Sequence, residues 1–166
     1  GDGSNAAVMG GVVDPGDNLI FELHQYLDPD SSGSDHYACV SETIGSERLV
    51  AVTGWLREHG YRGLLGEVAG GDNDVCEAAI VDMMDYMQAN QDAWMGFTWW
   101  AAGPWWGDYP FSLAPDGEGN PAPQSAWLAP YLCPAGTRRR LAGLGVRDRA
   151  SGGERLVHRR RRRGLR

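Results

Sequence analysis

A buried parallel strand is predicted for Asn18-Leu-Ile-Phe-Glu-Leu-His-Gln-Tyr26, because its continuous apolar start fits a strand that is covered on both faces. The following Asp28-Pro-Asp-Ser-Ser-Gly33 ends the strand and opens a long loop. His24 and Tyr26 are two residues apart and therefore point to the same side. Reactive groups of parallel α/β barrels project from the carboxyl ends of the strands, so a site is expected at this end.

A helix is predicted after this loop. Ser46 is expected to cap it and Gly60 to end it. Its apolar face consists of three residues at helical spacing, which are Leu49, Val52 and Leu56.

Two more strands are predicted over residues 61–67 and 94–100. Between them, Asn73 or Asp74 is expected to cap a longer helix, and a last short helical segment is expected around 124–132. The order is strand, helix, strand, helix, strand, helix. Such alternation predicts a parallel sheet with helices packed outside it.

Charge and aromatic residues are distributed unevenly along the chain. Up to Cys133 there are three Arg and twenty acidic residues, and all seven Trp and six Tyr lie in this part. An acidic, aromatic-rich body disfavours nucleic-acid binding and favours a neutral, ring-shaped polar ligand such as a sugar. No apolar run approaches the roughly 20 residues that span a bilayer, so no membrane partner is expected.

The segment 134–166 has the opposite charge, with twelve Arg and two acidic residues. It has no apolar periodicity, and we interpret it as an Arg-rich tail that is a disordered or non-native extension. The sudden change of composition suggests translation in a wrong frame or through a cloning junction. The alternative is a polybasic arm for anionic surfaces. The predicted domain boundary therefore separates residues 1–133 from 134–166.

The N-terminus and the cysteines indicate the origin of the chain. It begins with Gly1 rather than Met and shows no signal peptide, and residues 1–17 have the composition of a loop. We interpret this as a chain whose natural N-terminus is missing. Cys39, Cys76 and Cys133 lack the C-x-x-C spacing of a zinc or redox site, and in an oxidising compartment they allow one disulfide and one free thiol.

All three predicted strands end in residues that carry chemistry. The first ends in His24 and Tyr26, the second in Glu67, and the third in Trp99 and Trp100. Alone, such a histidine is more often structural, such a glutamate more often a helix cap or salt-bridge partner, and such an aromatic pair more often core. The series H-x-Y, Glu and Trp at three successive strand ends indicates a catalytic site instead.

This series resembles glycoside hydrolase family 5, in particular its cellulases of the endo-β-1,4-glucanase type. Residues 19–28 are similar to the sixth strand of that family, residues 64–71 to the seventh and residues 96–103 to the eighth. The resemblance implies an α/β fold, a partial (β/α)8 TIM barrel containing about the last three strand-helix units. Residues 1–133 would form this C-terminal part of the catalytic barrel.

The resemblance also implies catalytic roles. Glu67 matches the nucleophile of a retaining hydrolysis, in which two carboxyl groups about 5 Å apart attack the anomeric carbon and protonate the leaving oxygen. Tyr26 would donate a hydrogen bond to Glu67. His24 would belong to the network that positions the acid/base residue.

Substrate binding is expected to involve the tryptophans. The resemblance places Trp100 where the family has the tryptophan that lines the sugar site. Trp105 and Trp106 would either extend this aromatic platform for the sugar or pack the loop. Glu22 shares the side of His24 but lies deeper in the strand, and the sequence assigns it no role.

The acid/base glutamate of the family follows an asparagine, and this chain contains no Asn-Glu pair. A whole barrel needs about 250 residues, so we expect the chain to be a fragment that cannot close one, poorly folded and inactive on cellulose by itself. The resemblance to fungal-type relatives implies a disulfide between Cys39 and Cys76 and a free Cys133.

The predicted function is hydrolysis of internal β-1,4-glucosidic bonds of cellulose or a related β-glucan, with retention of configuration. The enzyme is expected to be secreted, extracellular and, when full length, a monomer. The alternatives are a β-mannanase or xylanase of the same family and a non-catalytic carbohydrate-binding protein. No metal or organic cofactor is expected, since Asp72 and Asp74 are explained as charges at a helix start.

Overall fold

The computed structural model describes residues 5–132. The elements in chain order are α1 (Ala6–Met9), β1 (Ile20–His24), α2 (Ile44–His59), β2 (Arg62–Val68), α3 (Asp74–Ala89), β3 (Trp94–Trp99), a 3-10 helix (Pro104–Trp106), α4 (Gln124–Leu128) and a second 3-10 helix (Ala129–Tyr131). The predicted Arg-rich tail and Cys133 lie outside the described residues. One prediction was wrong, because the exposed turn α1 interrupts the expected N-terminal loop.

The three strands form one parallel sheet in the order β1-β2-β3. Ile20 pairs with Arg62 at the start of β1 and β2, and Leu65 pairs with Phe97 in β2 and β3. Each connection between parallel neighbours contains a helix, which confirms the predicted alternation. The carboxyl ends of the strands therefore meet at one edge of the sheet.

Helix α2 begins differently from the prediction. Its N-cap is Thr43, and Ser46 lies inside the first turn. The Ser46 backbone N–H donates to Asp82 Oδ2 of α3 over 2.7 Å. A neighbouring helix therefore satisfies an N–H group of the first turn that a local cap would otherwise satisfy. The end at Gly60 is as predicted, with φ of 69° in the left-handed region.

Helix α3 begins as the sequence predicts. Asn73 is its N-cap, and its side-chain oxygen accepts a hydrogen bond of 3.0 Å from the Cys76 backbone N–H. Asp74 and Glu77 lie in the first turn, where negative charge is favourable next to the helix dipole.

The hydrophobic core lies between the sheet and the helices. Its most buried members are at most 1% exposed, and they include Leu49, Leu56, Leu65, Ile80 and Met83. Burying each of these side chains contributes about 1.5–3 kcal/mol. Glu22 and His24 of β1 lie on the opposite face of the sheet, where both are exposed.

No helix within residues 5–132 is both long enough and apolar enough to cross a membrane.

Candidate active site

The carboxylate of Glu67, near the end of β2, is held by two residues of the first strand and its extension. The Tyr26 hydroxyl donates to Glu67 Oε2 over 2.7 Å. His24 Nδ1 lies 3.2 Å from the same oxygen. The Glu67 side chain is 21% exposed, so it is shielded from bulk water yet still reachable by a ligand. The structure thus brings together the three residues that the sequence placed at two strand ends.

A β-bulge turns Glu67 toward these partners. The register between β1 and β2 pairs Leu23 with Leu65 and then His24 with Glu67, so Gly66 has no partner in β1. In a regular strand, Leu65 and Glu67 would share a face. The extra residue sends Leu65 into the core and Glu67 to the opposite face, next to His24. The Thr98 hydroxyl of β3 donates to the Gly66 carbonyl and ties the bulge from the other side.

The loop after β1 holds the ring of Tyr26. Asp28 is 2% exposed and accepts hydrogen bonds from the backbone N–H groups of Gly33 (3.0 Å), Ser34 (3.2 Å) and Asp35 (3.3 Å). A Cβ at Gly33 would stand 2.6 Å from the Tyr26 ring, and Gly33 has φ of 70°. Only glycine lets the loop lie against this ring without strain.

Aromatic rings connect the nucleophile candidate to the third strand. The rings of Trp100 and Trp106 are 5.3 Å apart, and the rings of Trp106 and Tyr109 are 4.9 Å apart. Tyr109 contacts Phe111, whose ring stacks on Tyr26 at 6.3 Å. These five rings form an aromatic row that runs from Trp100, the candidate sugar platform, to Tyr26, which holds Glu67.

The predicted tryptophans differ in environment. Trp100 is 38% exposed, and its backbone N–H donates over 3.0 Å to the carbonyl of Val68, the residue that follows Glu67. Trp106 is half-buried in the aromatic row, whereas Trp105 is 93% exposed. A role of all three in substrate binding stays a prediction, and Trp105 is the one without a ring contact in the described part of the chain.

The two tyrosines of the site have raised pKa values. Burial, followed by the hydrogen bond to Glu67, raises the pKa of Tyr26 well above its ordinary value. Burial and the charge of Glu67 also raise the pKa of Tyr109. Tyr26 therefore remains a protonated donor toward Glu67 throughout the neutral pH range.

Cys39, in the loop after β1, and Cys76, in the first turn of α3, are joined in the structure with Sγ atoms 2.04 Å and Cα atoms 5.3 Å apart. The bridge links this loop to the start of α3. Within residues 5–132, no group of three or more His, Cys, Asp or Glu side chains is arranged to hold a metal ion.

This geometry, a shielded carboxylate with fixed orientation beside an exposed tryptophan, suits nucleophilic attack on a sugar ring. Residues 2–103 match the family described as Cellulase (glycosyl hydrolase family 5). The chain belongs to this family.

Several members of glycosyl hydrolase family 5 are similar to the chain. Endo-beta-1,4-glucanase A of Emericella nidulans is 53% identical over 124 residues, which are 75% of this chain and 38% of that protein. The structure of the endo-beta-1,4-glucanase Xac0029 from Xanthomonas axonopodis pv. citri is 48% identical, with a TM-score of 0.73 over 76% of this chain and 40% of that chain. The structure of XacCel5A in complex with cellopentaose is 48% identical, with a TM-score of 0.75 over 78% and 41%.

The family explains the architecture. The three parallel strand-helix units are part of the (β/α)8 barrel of glycosyl hydrolase family 5, as predicted. The chain spans about two fifths of the length of the relatives that it matches. The remaining strands of the barrel correspond to the part of the relatives that the match does not cover.

Two neighbours of the site were not found from the sequence. Tyr109 and Phe111 come from the loop after β3, which contains Pro, Gly and Trp and shows no periodicity. The only available signal was their aromatic character, and it does not distinguish a residue beside Glu67 from one that packs the loop.

Proposed function

We propose that this chain supplies the nucleophile side of the active site of a retaining endo-β-1,4-glucanase. The observation that carries the proposal is the placement of Glu67, whose carboxylate is held by Tyr26 and His24 beside Trp100 in a chain of glycosyl hydrolase family 5. The names of the similar proteins support β-1,4-glucan as the substrate, and the cellopentaose complex supports a cleft that takes several glucose units.

In the proposed reaction, Glu67 attacks the anomeric carbon and forms a covalent glycosyl-enzyme ester, which water then hydrolyses. One oxygen of the carboxylate, Oε2, is engaged by Tyr26 and His24. Oε1 is the oxygen that attacks in this proposal, since Tyr26 and His24 engage Oε2. The acid that protonates the leaving oxygen is supplied by a part of the barrel that this chain does not contain.

We further propose that the protein acts outside the cell, as a monomer when complete. The bridge between Cys39 and Cys76 supports an oxidising compartment.

The test uses a protein made of two parts. The part of the Emericella nidulans endo-β-1,4-glucanase A that this chain does not match comes first, and the full 166-residue chain follows it. This protein is called the fusion. We expect it to release reducing sugar from carboxymethyl cellulose, and far less from mannan or xylan. Proton NMR of the first product should show the β-anomer, which is the mark of retention.

Glu67→Gln in the fusion should lower kcat on the order of 10⁴-fold or more while leaving cellopentaose binding intact. Glu58→Gln, on the exposed side of α2, is the matched control and should keep full activity. Undiminished turnover by the Glu67→Gln fusion, or an inactive fusion beside an active parent enzyme, would overturn the proposal.

A further inference from the structure

Glu22 is a charged residue in the middle of a strand, where apolar or neutral residues are usual. It lies on the same face of β1 as His24, opposite the buried Phe21. Glu22 Oε1 is 2.8 Å from His24 Nε2, and the two side chains are about equally exposed, at 52% and 50%. The other ring nitrogen of His24 faces Glu67. The imidazole ring therefore lies between two carboxylates, and each nitrogen has one partner.

Gly66, the bulge residue of β2, independently places Glu22. A Cβ at this position would overlap the carboxylate of Glu22 and stand 2.7 Å from its Cγ. Because Gly66 has no side chain, the side chain of Glu22 has the space to lie over β2 at this residue. The residue that turns Glu67 toward His24 is thus also the residue that makes room for Glu22.

We infer that Glu22 is a positioning residue that orients His24, so that the His24 ring in turn orients the nucleophile Glu67. The inference rests on the proposed function of Glu67. An imidazole held at one nitrogen only can rotate about its χ2 bond, and its broad rotamer well does not define where Nδ1 points. A carboxylate beside Nε2 fixes the orientation of the ring and therefore where Nδ1 points.

The inference concerns the nucleophile and not the missing acid, and a suitable reagent separates the two. In 2,4-dinitrophenyl 2-deoxy-2-fluoro-β-cellobioside, dinitrophenolate leaves with its electron pair and needs no proton from the enzyme. Glu67 attacks C1, the C1–O bond to dinitrophenolate breaks, and a fluoroglycosyl ester of Glu67 remains. The fluorine destabilises the transition state for hydrolysis, so the ester accumulates and is counted by intact-protein mass spectrometry.

The experiment measures the labelling rate constant kinact and the reagent affinity KI for the fusion and its variants. Glu22→Ala and Gly66→Ala should each lower kinact on the order of 10-fold with KI unchanged, because the reagent still binds but the nucleophile Glu67 is misdirected. Glu22→Gln, which keeps the shape and an acceptor oxygen, should restore most of the rate. Glu58→Gln and Gly54→Ala are matched controls, since Glu58 is exposed and a Cβ at Gly54 meets nothing within 4 Å.

Variants with wild-type unfolding midpoints and wild-type kinact at both Glu22→Ala and Gly66→Ala would overturn the inference. Should Glu22→Ala unfold, Glu22→Gln decides: a kinact near the wild-type value supports the inference, whereas a kinact as low as that of Glu67→Gln would overturn it, since a positioning residue is not required for the reaction itself. An unlabelled wild-type fusion beside a labelled parent enzyme would overturn the proposed function, and the inference would fall with it.

Discussion

At the scale of single residues, the two contacts to Glu67 have different physical characters. Tyr26 donates a charge-assisted hydrogen bond of 2.7 Å, whereas His24 lies 3.2 Å from the same oxygen. Burial of Tyr26 keeps its phenol protonated, so this donor does not change with pH in the neutral range. We therefore expect Tyr26 to contribute more to the orientation of Glu67 than its neighbour does.

Tyr26→Phe in the fusion tests this difference. Loss of a hydrogen bond to a charged group costs about 1.5–3 kcal/mol, so kcat should fall on the order of 10- to 100-fold. Tyr37→Phe is the control, because Tyr37 is 65% exposed and should retain wild-type kcat. Steady-state hydrolysis at a series of cellopentaose concentrations gives kcat of both variants. A Tyr26→Phe enzyme with unchanged kcat would contradict the role of the phenol.

At the scale of elements, two glycines of α2 lie in opposite surroundings. A Cβ at Gly45 would overlap the Ala79 carbonyl of α3 and stand 2.7 Å from the Cβ of Met83, whereas Gly54 faces open space. The first glycine permits the close approach of α2 and α3. The second only lowers helix propensity.

Gly45→Ala should destabilise the fusion by about 2 kcal/mol, because the helices must separate. Gly54→Ala should stabilise it by up to about 1 kcal/mol. Urea unfolding measures both free energies. Equal effects of the two substitutions would show that α2 and α3 do not pack as closely as described.

The last 3-10 helix is attached to α3 through Tyr131, whose hydroxyl donates to Asp85 Oδ1 over 2.7 Å. Burial and this hydrogen bond raise the pKa of Tyr131 to about 12. The folded-state pKa lies above the unfolded value of about 10, so the stabilisation is complete below pH ~10 and is lost as the pH rises toward ~12.

Comparison of wild-type and Tyr131→Phe fusions by urea unfolding checks this pH dependence. The difference in free energy of unfolding should be constant from neutral pH to about pH 10 and should then shrink. A difference that grows above pH 10 would exclude Asp85 as the partner that raises this pKa.

At the scale of the whole molecule, the disulfide is the covalent link between two strand-helix units. It joins residues separated by 37 positions, and such a link restricts the unfolded chain. Cys39→Ala combined with Cys76→Ala should therefore destabilise the fusion by about 3–4 kcal/mol, measured by urea unfolding. Cys133→Ala is the control and should leave stability unchanged. Three reactive thiols in the denatured, unreduced 166-residue chain would contradict the bridge.

The parallel sheet of the described residues is open, with an edge strand on each side. β1 and β3 are its edges among the described residues, and Ile20 and Met95 on them are 42% and 48% exposed. In a complete barrel such edges are paired. The 166-residue chain alone should therefore show no turnover of carboxymethyl cellulose, and measurable release of reducing sugar by the purified chain would contradict this.

Sequence patterns predicted the elements because those patterns are local. Gly60 as a helix end, Asn73 as a cap and the three strands follow from propensities of neighbouring residues and were found as expected. Ser46 was misassigned as the cap, because α2 begins two residues earlier and the Ser46 N–H in its first turn is satisfied by Asp82, 36 residues further along the chain. A partner at that distance leaves no local signal.

The sequence by itself determined the family, the alternating architecture and the candidates His24, Tyr26, Glu67 and Trp100, because residue types at strand ends are readable in order. Only the tertiary structure decided that Glu67 faces His24, since regular alternation would have placed it on the side of Leu65. The bulge at Gly66 depends on pairing with two neighbouring strands at once. Such pairing is a property of the assembled sheet and not of any one segment.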